Sequence, residues 1–381
     1  MYRTTNLPNT RIQVADALRG IAVAGIILIH SCEHFNLYWS GLSLDRAIIP
    51  ALEKPVTDFM WWLFAGKMYT IFALLFGLSF YVQSDNQAQR GNDFTGRFTW
   101  RMILLCIIGM VNTAFYNGDV LVLYSILGLL MPWLGKLPTR WLWAIFAFLV
   151  IQPFEMFSLL SGIDLHISTE SWDKGLYPVL EDGGFIDSLV ASLRYGQPVT
   201  LAWYFNSGRV TQTLSLFILG MLLGRMRMFY DEPGNMKKWL IAMCICLFTA
   251  VVLYLFPVGK DGTPLRMMTS LWYNFAHTLA MVSATVLLWY SSKGFRRVIG
   301  KFSVIGRMSL SNYLLQSILG SMVFYSWGFC LYREVGLVYG LLAGIGIVTV
   351  QYIFSYLWLR HHTHGPVEWV WKKLTWIKLP L

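Results

Sequence analysis

Arg19 and His30 lie in one apolar run, RGIAVAGIILIH, with ten residues between them. An ionisable group inside a membrane helix is costly, and the usual reason to keep one is function. Eleven helical steps of about 100° return close to the starting angle, so both side chains share one face, roughly 16 Å apart along the axis. A cation near one membrane face and an acid/base group deeper in is the arrangement this predicts. Histidine titrates near neutral pH and can take a proton from a hydroxyl or amine nucleophile. The plainer readings are a histidine hydrogen-bonded between helices and an arginine snorkelling to the rim.

Other candidates follow the same logic. Glu33 and His34 stand at i+3 and i+4 from His30 and cluster with it on one face. Asp16 is three residues before Arg19 and within pairing reach. Lys67, in FAGKMYTIFALLFGL, and Asn112, in a later apolar run, place polar groups inside spans. A lone lysine there tends to face a cavity or a carboxylate, and an amide is often glue between helices. Asp119 opens NGDVLVLY, where capping a helix N-terminus is the structural alternative. Arg209 and Gln212 are one turn apart and suit an anion or a carboxylate. In GRMSLSNYLLQS (306–317), Ser309, Asn312, Tyr313 and Gln316 form a polar stripe. No phosphate loop, dinucleotide fingerprint or zinc motif is present. His361, His362 and His364 read as a juxtamembrane, lipid-facing cluster rather than a metal site, so no metal is expected.

These residues need a membrane bundle to position them. The 381 residues are 56% hydrophobic and 13% charged, with mean hydropathy +0.52. Soluble domains carry nearer about 25% charged residues. The net charge of +10 is scattered between apolar spans, which points to anionic lipid headgroups rather than nucleic acid. Five cysteines have no metal-ligand spacing. The expected fold is all-α: a polytopic helix bundle of about ten transmembrane helices (nine to eleven), each near about 20 residues. The segments are 16–35, 57–82, 98–116, 119–136, 140–161, 202–226, 237–257, 267–291, 303–329 and 335–359. Asn117 and Gly118 make a tight hairpin between the third and fourth. With a cytoplasmic N-terminus, 20 of the 30 Lys and Arg fall on the cytoplasmic side and seven opposite, leaving Arg19, Lys67 and Arg209 within spans. That asymmetry predicts both termini in the cytoplasm. The chain reads as one integral membrane domain: an N-terminal bundle over 1–161, an outer loop or cap over 162–201, and a C-terminal bundle over 202–381. Its end, 361–381, is an amphipathic tail suited to an interface.

The stretches ALRGIAVAGIILI, GKMYTIFALLFGLSFY, GDVLVLYSILGLL, GRMSLSNYLLQS and GPVEWVWKKLT resemble the YeiB-like membrane protein family. Its C-terminal half is a domain of unknown function. The first span also resembles that of the wider transmembrane acyltransferase superfamily, including bacterial acyltransferase-3 proteins and heparan-α-glucosaminide N-acetyltransferase. There an Arg, ten residues and a His occupy the first span, and the His is thought to be catalytic. Arg19 and His30 match that pattern. YeiB-like members usually carry Asn at the position of His30 and His at the position of Asn112, so the two positions are expected to share one site.

The resemblance implies a bacterial cytoplasmic (inner) membrane enzyme, possible as a homodimer, that moves an acyl group, acetyl foremost, from acyl-CoA to a hydroxyl or amine of a glycan or lipid-linked acceptor. His30 would be general base or acyl carrier. Asn112 would orient it or bind the thioester oxygen. Arg19 and Lys67 would meet the acyl-CoA. Glu33, His34, Asp119, Arg209, Gln212, Asn312, Tyr313 and Gln316 would line the acceptor side. The alternative is a small-solute transporter or channel using the same polar residues.

Overall fold

The computed structural model describes residues 11–35, 37 and 50–377. It is all-α, with no strand among the described residues. In chain order the helices are α1 (Gln13–Cys32), α2 (Pro50–Leu63), α3 (Met68–Gln89), α4 (Thr95–Phe115), α5 (Leu121–Gly128), α6 (Met131–Lys136) and α7 (Thr139–Val150). Next come α8 (Pro153–Ser161), α9 (Glu170–Asp182), α10 (Phe185–Ala191), α11 (Gln197–Asn206) and α12 (Arg209–Arg225). The C-terminal half holds α13 (Asn235–Leu255), α14 (Pro264–Ser291), α15 (Lys293–Ile299), α16 (Ser303–Arg307), α17 (Ser309–Phe324), α18 (Leu337–Trp358) and α19 (Pro366–Thr375).

Six helical stretches among the described residues are long and apolar enough to cross a membrane: 13–32, 50–89, 95–115, 235–255, 264–291 and 337–358. Counting the bent pair α7–α8 as one span gives seven. The sequence expectation was about ten. The other three segments exist as shorter pieces. Segment 119–136 breaks into α5 and α6, of 8 and 6 residues. α12 has 17 residues and α17 has 16. α12 and α17 are largely wrapped by protein rather than lipid, so their length is not set by bilayer thickness alone.

Burial sorts the helices into centre and rim. α1 is 72% buried along its apolar window, whereas α13 is 11% buried and offers the rest to lipid. Two glycine pairs set the central crossings. A Cβ on Gly20 would overlap the carbonyl of Phe302, and one on Gly306 would overlap the carbonyl of Asp16. α1 therefore crosses the segment 302–306 backbone to backbone, which brings Arg19 beside Arg307. Gly77 and Gly220 do the same for α3 and α12, against the carbonyls of Phe217 and Leu74. Small residues let membrane helices approach this closely where no hydrophobic driving force exists between them.

The 57–82 segment is not one helix. Gly66, at φ +75°, sits in a break between α2 and α3 that leaves Lys67 at the start of α3. At one end of the bundle, residues 170–206 fold into a helical cap. Leu176 and Leu180 are fully buried there and pack with Phe35, Tyr116, Phe324 and Tyr325. At the other end α19 lies across α4 and α17. Trp371 donates its indole N–H to the carbonyl of Arg101 (3.1 Å), and Trp100 donates to that of Leu374 (3.1 Å). The amphipathic tail thus packs on protein with one face, while Trp369 and Val370 stay exposed.

Candidate functional site

Arg19 sits in the first half of α1. Its guanidinium donates to Asp16 (3.2 Å) and to the hydroxyl of Ser79 on α3 (2.8 Å). It opens into a cavity of about 220 Å³. Arg101, Arg307 and Glu368 share that wall, with Gln83 and Ser79. Deeper in, the lining turns apolar: Phe72, Phe76, Phe80, Leu105, Leu121 and Tyr124. Three arginines face one carboxylate at the mouth, so the cavity carries a net positive charge. Arg101 is held by its guanidinium over the Trp371 ring, 3.7 Å from the centroid. Sequence reasoning read Arg101 and Arg307 only as rim charges. Their convergence on Arg19 depends on the α1–α16 crossing and on the docking of α19.

The floor of this cavity reaches Leu121, two residues past Asp119. Asp119 is almost fully buried and accepts from the amide of Asn112 (2.8 Å) and from the backbone N–H of Val122 (3.0 Å). The second bond is a helix cap on α5, as the sequence allowed. The first ties α4 to the turn. The hydroxyl of Tyr313, on α17, accepts the backbone N–H of Val120 (3.1 Å). Several buried polar atoms nearby have no hydrogen-bond partner among the described residues. They are Asn112 Oδ1, both amide atoms of Gln316 one turn beyond Tyr313, and the amide nitrogen of Gln197. The other end of Gln197 accepts from Thr113 (2.8 Å). An unsatisfied buried polar atom costs about 1–3 kcal/mol, so several around one turn mark a place built for something polar.

His30 lies near the other end of α1, partly exposed. Its Nδ1 is 3.3 Å from the carboxylate of Glu33 and 3.0 Å from the hydroxyl of Tyr116. Tyr116 ends α4 one turn after Asn112 and is buried. It is the residue the sequence reading missed. The only signal was its place four residues after Asn112. His30 and Asn112 therefore address one face of α4 through different residues; no hydrogen bond joins them among the described residues. His34 points elsewhere, with its ring 5.2 Å from Phe324 and beside Gly340 of α18.

The remaining candidates separate. Asn312 bridges α17 and α18: its side-chain amide donates to Ser355 (2.8 Å), and its backbone carbonyl accepts from the side chain of Gln351 (2.8 Å). It is interhelical glue, and Tyr313 is the member of that stripe that bonds the Asp119 turn, through the N–H of Val120. Ser311 of the same motif belongs to a cap described below. Lys67 stands at the N-terminus of α3, about 18 Å by helical rise from Ser79 in its middle, and so is far from Arg19. It donates to the carbonyl of Trp61 (3.0 Å). Arg209 stacks between the rings of Tyr69 (4.6 Å) and Trp203 (4.2 Å). Gln212 accepts from the hydroxyl of Tyr69 and donates to the carbonyl of Leu271 (3.0 Å). Of the histidines in the tail, His362 stacks on Trp358 and His364 meets Thr363 and Lys372.

Comparison with known proteins places this architecture. The profile of the family described as "Protein of unknown function (DUF418)" matches residues 223–378. YxaH, an uncharacterized protein of Bacillus subtilis (strain 168), is 28% identical over 399 aligned positions, covering 97% of this chain and 96% of its own. YeiB, an uncharacterized protein of Escherichia coli (strain K12), is 25% identical over 400 positions, covering 94% and 95%. An uncharacterized 39.9 kDa protein from Bacillus acidopullulyticus is 24% identical, covering 96% and 94%. The chain is a multi-pass membrane protein whose residues 223–378 match the DUF418 family model and which is similar to YxaH and YeiB along nearly its whole length.

Proposed function

We propose that the protein is a membrane-embedded acyltransferase that takes an acyl group, acetyl foremost, from acyl-CoA. The observation that carries this reading is the cavity between Arg19, Arg101 and Arg307 and the Asp119 turn. A polyanionic head bound by three arginines, followed by a long neutral arm in an aromatic sleeve, is the shape of an acyl-CoA. The sleeve ends at Leu121 and Tyr124, beside the Asp119 turn, and the unpartnered side-chain N–H group of Gln316, one turn beyond Tyr313, suits a thioester carbonyl and the negative charge that grows on it. The acceptor oxygen or nitrogen bonds the acyl carbon, the thioester C–S bond breaks, and CoA leaves as the thiol once its sulfur takes up the proton released by the acceptor. His30, aligned by Glu33 and Tyr116, takes the proton of the acceptor hydroxyl or amine. The charge asymmetry supports ten crossings with both termini in the cytoplasm, the three short segments included, and a place in the bacterial inner membrane. The arginine mouth then opens where acyl-CoA is made, and His30 faces the side of the acidic cap and a glycan or lipid-linked acceptor.

The test is acetyl-CoA binding to the purified full-length protein by calorimetry. Arg19→Gln, Arg101→Gln and Arg307→Gln are each expected to weaken binding about tenfold, the equivalent of about 1.4 kcal/mol. No binding by wild type at millimolar acetyl-CoA overturns the reading. One observation favours a second reading. The helices break at 64–67, between α5 and α6, and at 151–152, as in transporters that bind solutes at discontinuous helices. Uptake of a small solute by proteoliposomes, with no acetyl-CoA binding, would select it.

A further inference from the structure

α3 and α12 run side by side in the same direction, held by Gly77 and Gly220, so their N-terminal ends lie together. Each end carries the positive pole of a long helix, of 22 and 17 residues. Lys67 stands at the first and Arg209 at the second. Lys67 is 4% exposed, yet its ammonium makes one hydrogen bond, to the carbonyl of Trp61, and faces the Tyr273 ring at 5.2 Å. An ammonium has three donors. The Arg209 guanidinium is covered on its faces by Tyr69 and Trp203, which leaves its N–H edge to find a partner. Tyr69 is itself held by Gln212. Lys67 and Arg209 are near enough to repel each other, and His277 lies near Lys67. Among the described residues neither cation forms an ion pair with a carboxylate.

Two unneutralised cations in a membrane bundle, at two positive helix ends, are expensive unless an anion joins them. We propose that Lys67 and Arg209 form a binding site for a phosphate group, carried by a lipid headgroup or by a free phosphate ester. Lys67 supplies a compact point charge, and the Arg209 edge supplies paired donors that match phosphate oxygens. Exposed Phe59 and Trp62 on α2 flank the approach, and Trp62 packs on His277. The site is therefore reached from the bilayer side. Lys67 stands about 18 Å by helical rise from Ser79, which holds Arg19, so the two arginine-bearing sites are separate anion contacts. If the acyl-transfer reading holds, this site selects an acceptor that carries a phosphate or phosphodiester.

The test uses the full-length protein in phosphatidylcholine nanodiscs, with glycerol 1-phosphate or added phosphatidylglycerol as probe. The readouts are the thermal unfolding midpoint and the probe's affinity. At least one probe is expected to stabilise wild type. Lys67→Met with Arg209→Gln should weaken binding at least tenfold, and Lys67→Arg should retain it. Stabilisation by the lipid alone identifies a headgroup in its bilayer setting; stabilisation by both shows that the phosphate suffices. The single variant Arg209→Gln, at a partly exposed position, gives the same reading should the double variant not fold. Absence of stabilisation by either probe, or undiminished binding by Arg209→Gln and the double variant, overturns the proposal. Acetyl-CoA binding measured on the same samples separates the two ideas. Phosphate binding without acetyl-CoA binding sinks the acyltransferase and leaves the site, and the reverse sinks the site alone.

Discussion

Glu368 caps the N-terminus of α17 at Ser311. Its carboxylate accepts the backbone N–H groups of Leu310 (2.7 Å) and Ser311 (3.2 Å) and the hydroxyl of Ser311. The same hydroxyl accepts the N–H of Val367 (3.0 Å). GRMSLSNYLLQS and GPVEWVWKKLT, widely separated in sequence, are thus two halves of one joint. A carboxylate at a helix N-terminus satisfies donors that the helix cannot and meets its positive pole. Charge-assisted bonds of this kind contribute about 1.5–3 kcal/mol each. Glu368→Ala is expected to cost at least about 2 kcal/mol in detergent unfolding, and Glu368→Gln about half of that. An unchanged midpoint for Glu368→Ala would mean the joint carries no stability.

The glycine crossings give a second prediction with an internal control. Gly77→Val drives a side chain into the Phe217 backbone and should prevent folding or lower the unfolding midpoint sharply. Gly346, on α18, has open space where a Cβ would stand. Gly346→Ala should be neutral or stabilise by up to about 1 kcal/mol, because alanine loses less backbone entropy in a helix. Equal effects at the two positions would show that α3 and α12 do not touch there.

Asp119→Asn probes the turn. Asparagine keeps the cap on Val122 but presents a donor where Asn112 now donates, leaving two N–H groups facing each other unless one amide turns over. A loss of about 1–3 kcal/mol in stability is expected. Asp119→Asn with Asn112→Asp restores a carboxylate–amide pair and should recover more than half of it. Failure of the double variant to recover anything would separate the two residues.

Much of this was legible in the chain and some was not. Hydropathy and charge gave the helical membrane bundle, and the i, i+3 spacing of Asp16 with Arg19 and of His30 with Glu33 survived into hydrogen bonds. Local spacing does that well, because a helix fixes its own neighbours. The break at Gly66 did not show, since apolar residues run through it on both sides. Nor did the shortness of α12 and α17, because protein-wrapped and lipid-wrapped helices share one composition. Arg101 and Arg307 looked like rim charges and Tyr116 like an ordinary helix-end aromatic. Each takes its role from a partner far away in sequence: Trp371, the α1–α16 crossing, and His30.

The resemblance implies an exchange of residue types between positions 30 and 112. In this chain the imidazole of His30 is 3.3 Å from Glu33, while the amide of Asn112 bonds Asp119. Where the resembled family has Asn and His at these positions, the imidazole would instead stand beside the carboxylate at 119. In both arrangements an imidazole would stand beside a carboxylate, at α1 in the one and on α4 in the other. Under the acyl-transfer reading, His30→Asn and Asn112→His should each lose activity at least about 100-fold, the scale of a lost general base. The double variant should recover at least part of that loss in acetyl transfer or acetyl-CoA hydrolysis. Tyr116→Phe should cost less than either single change, because Glu33 still holds the ring. A double variant no better than His30→Asn would show that the imidazole works only from α1.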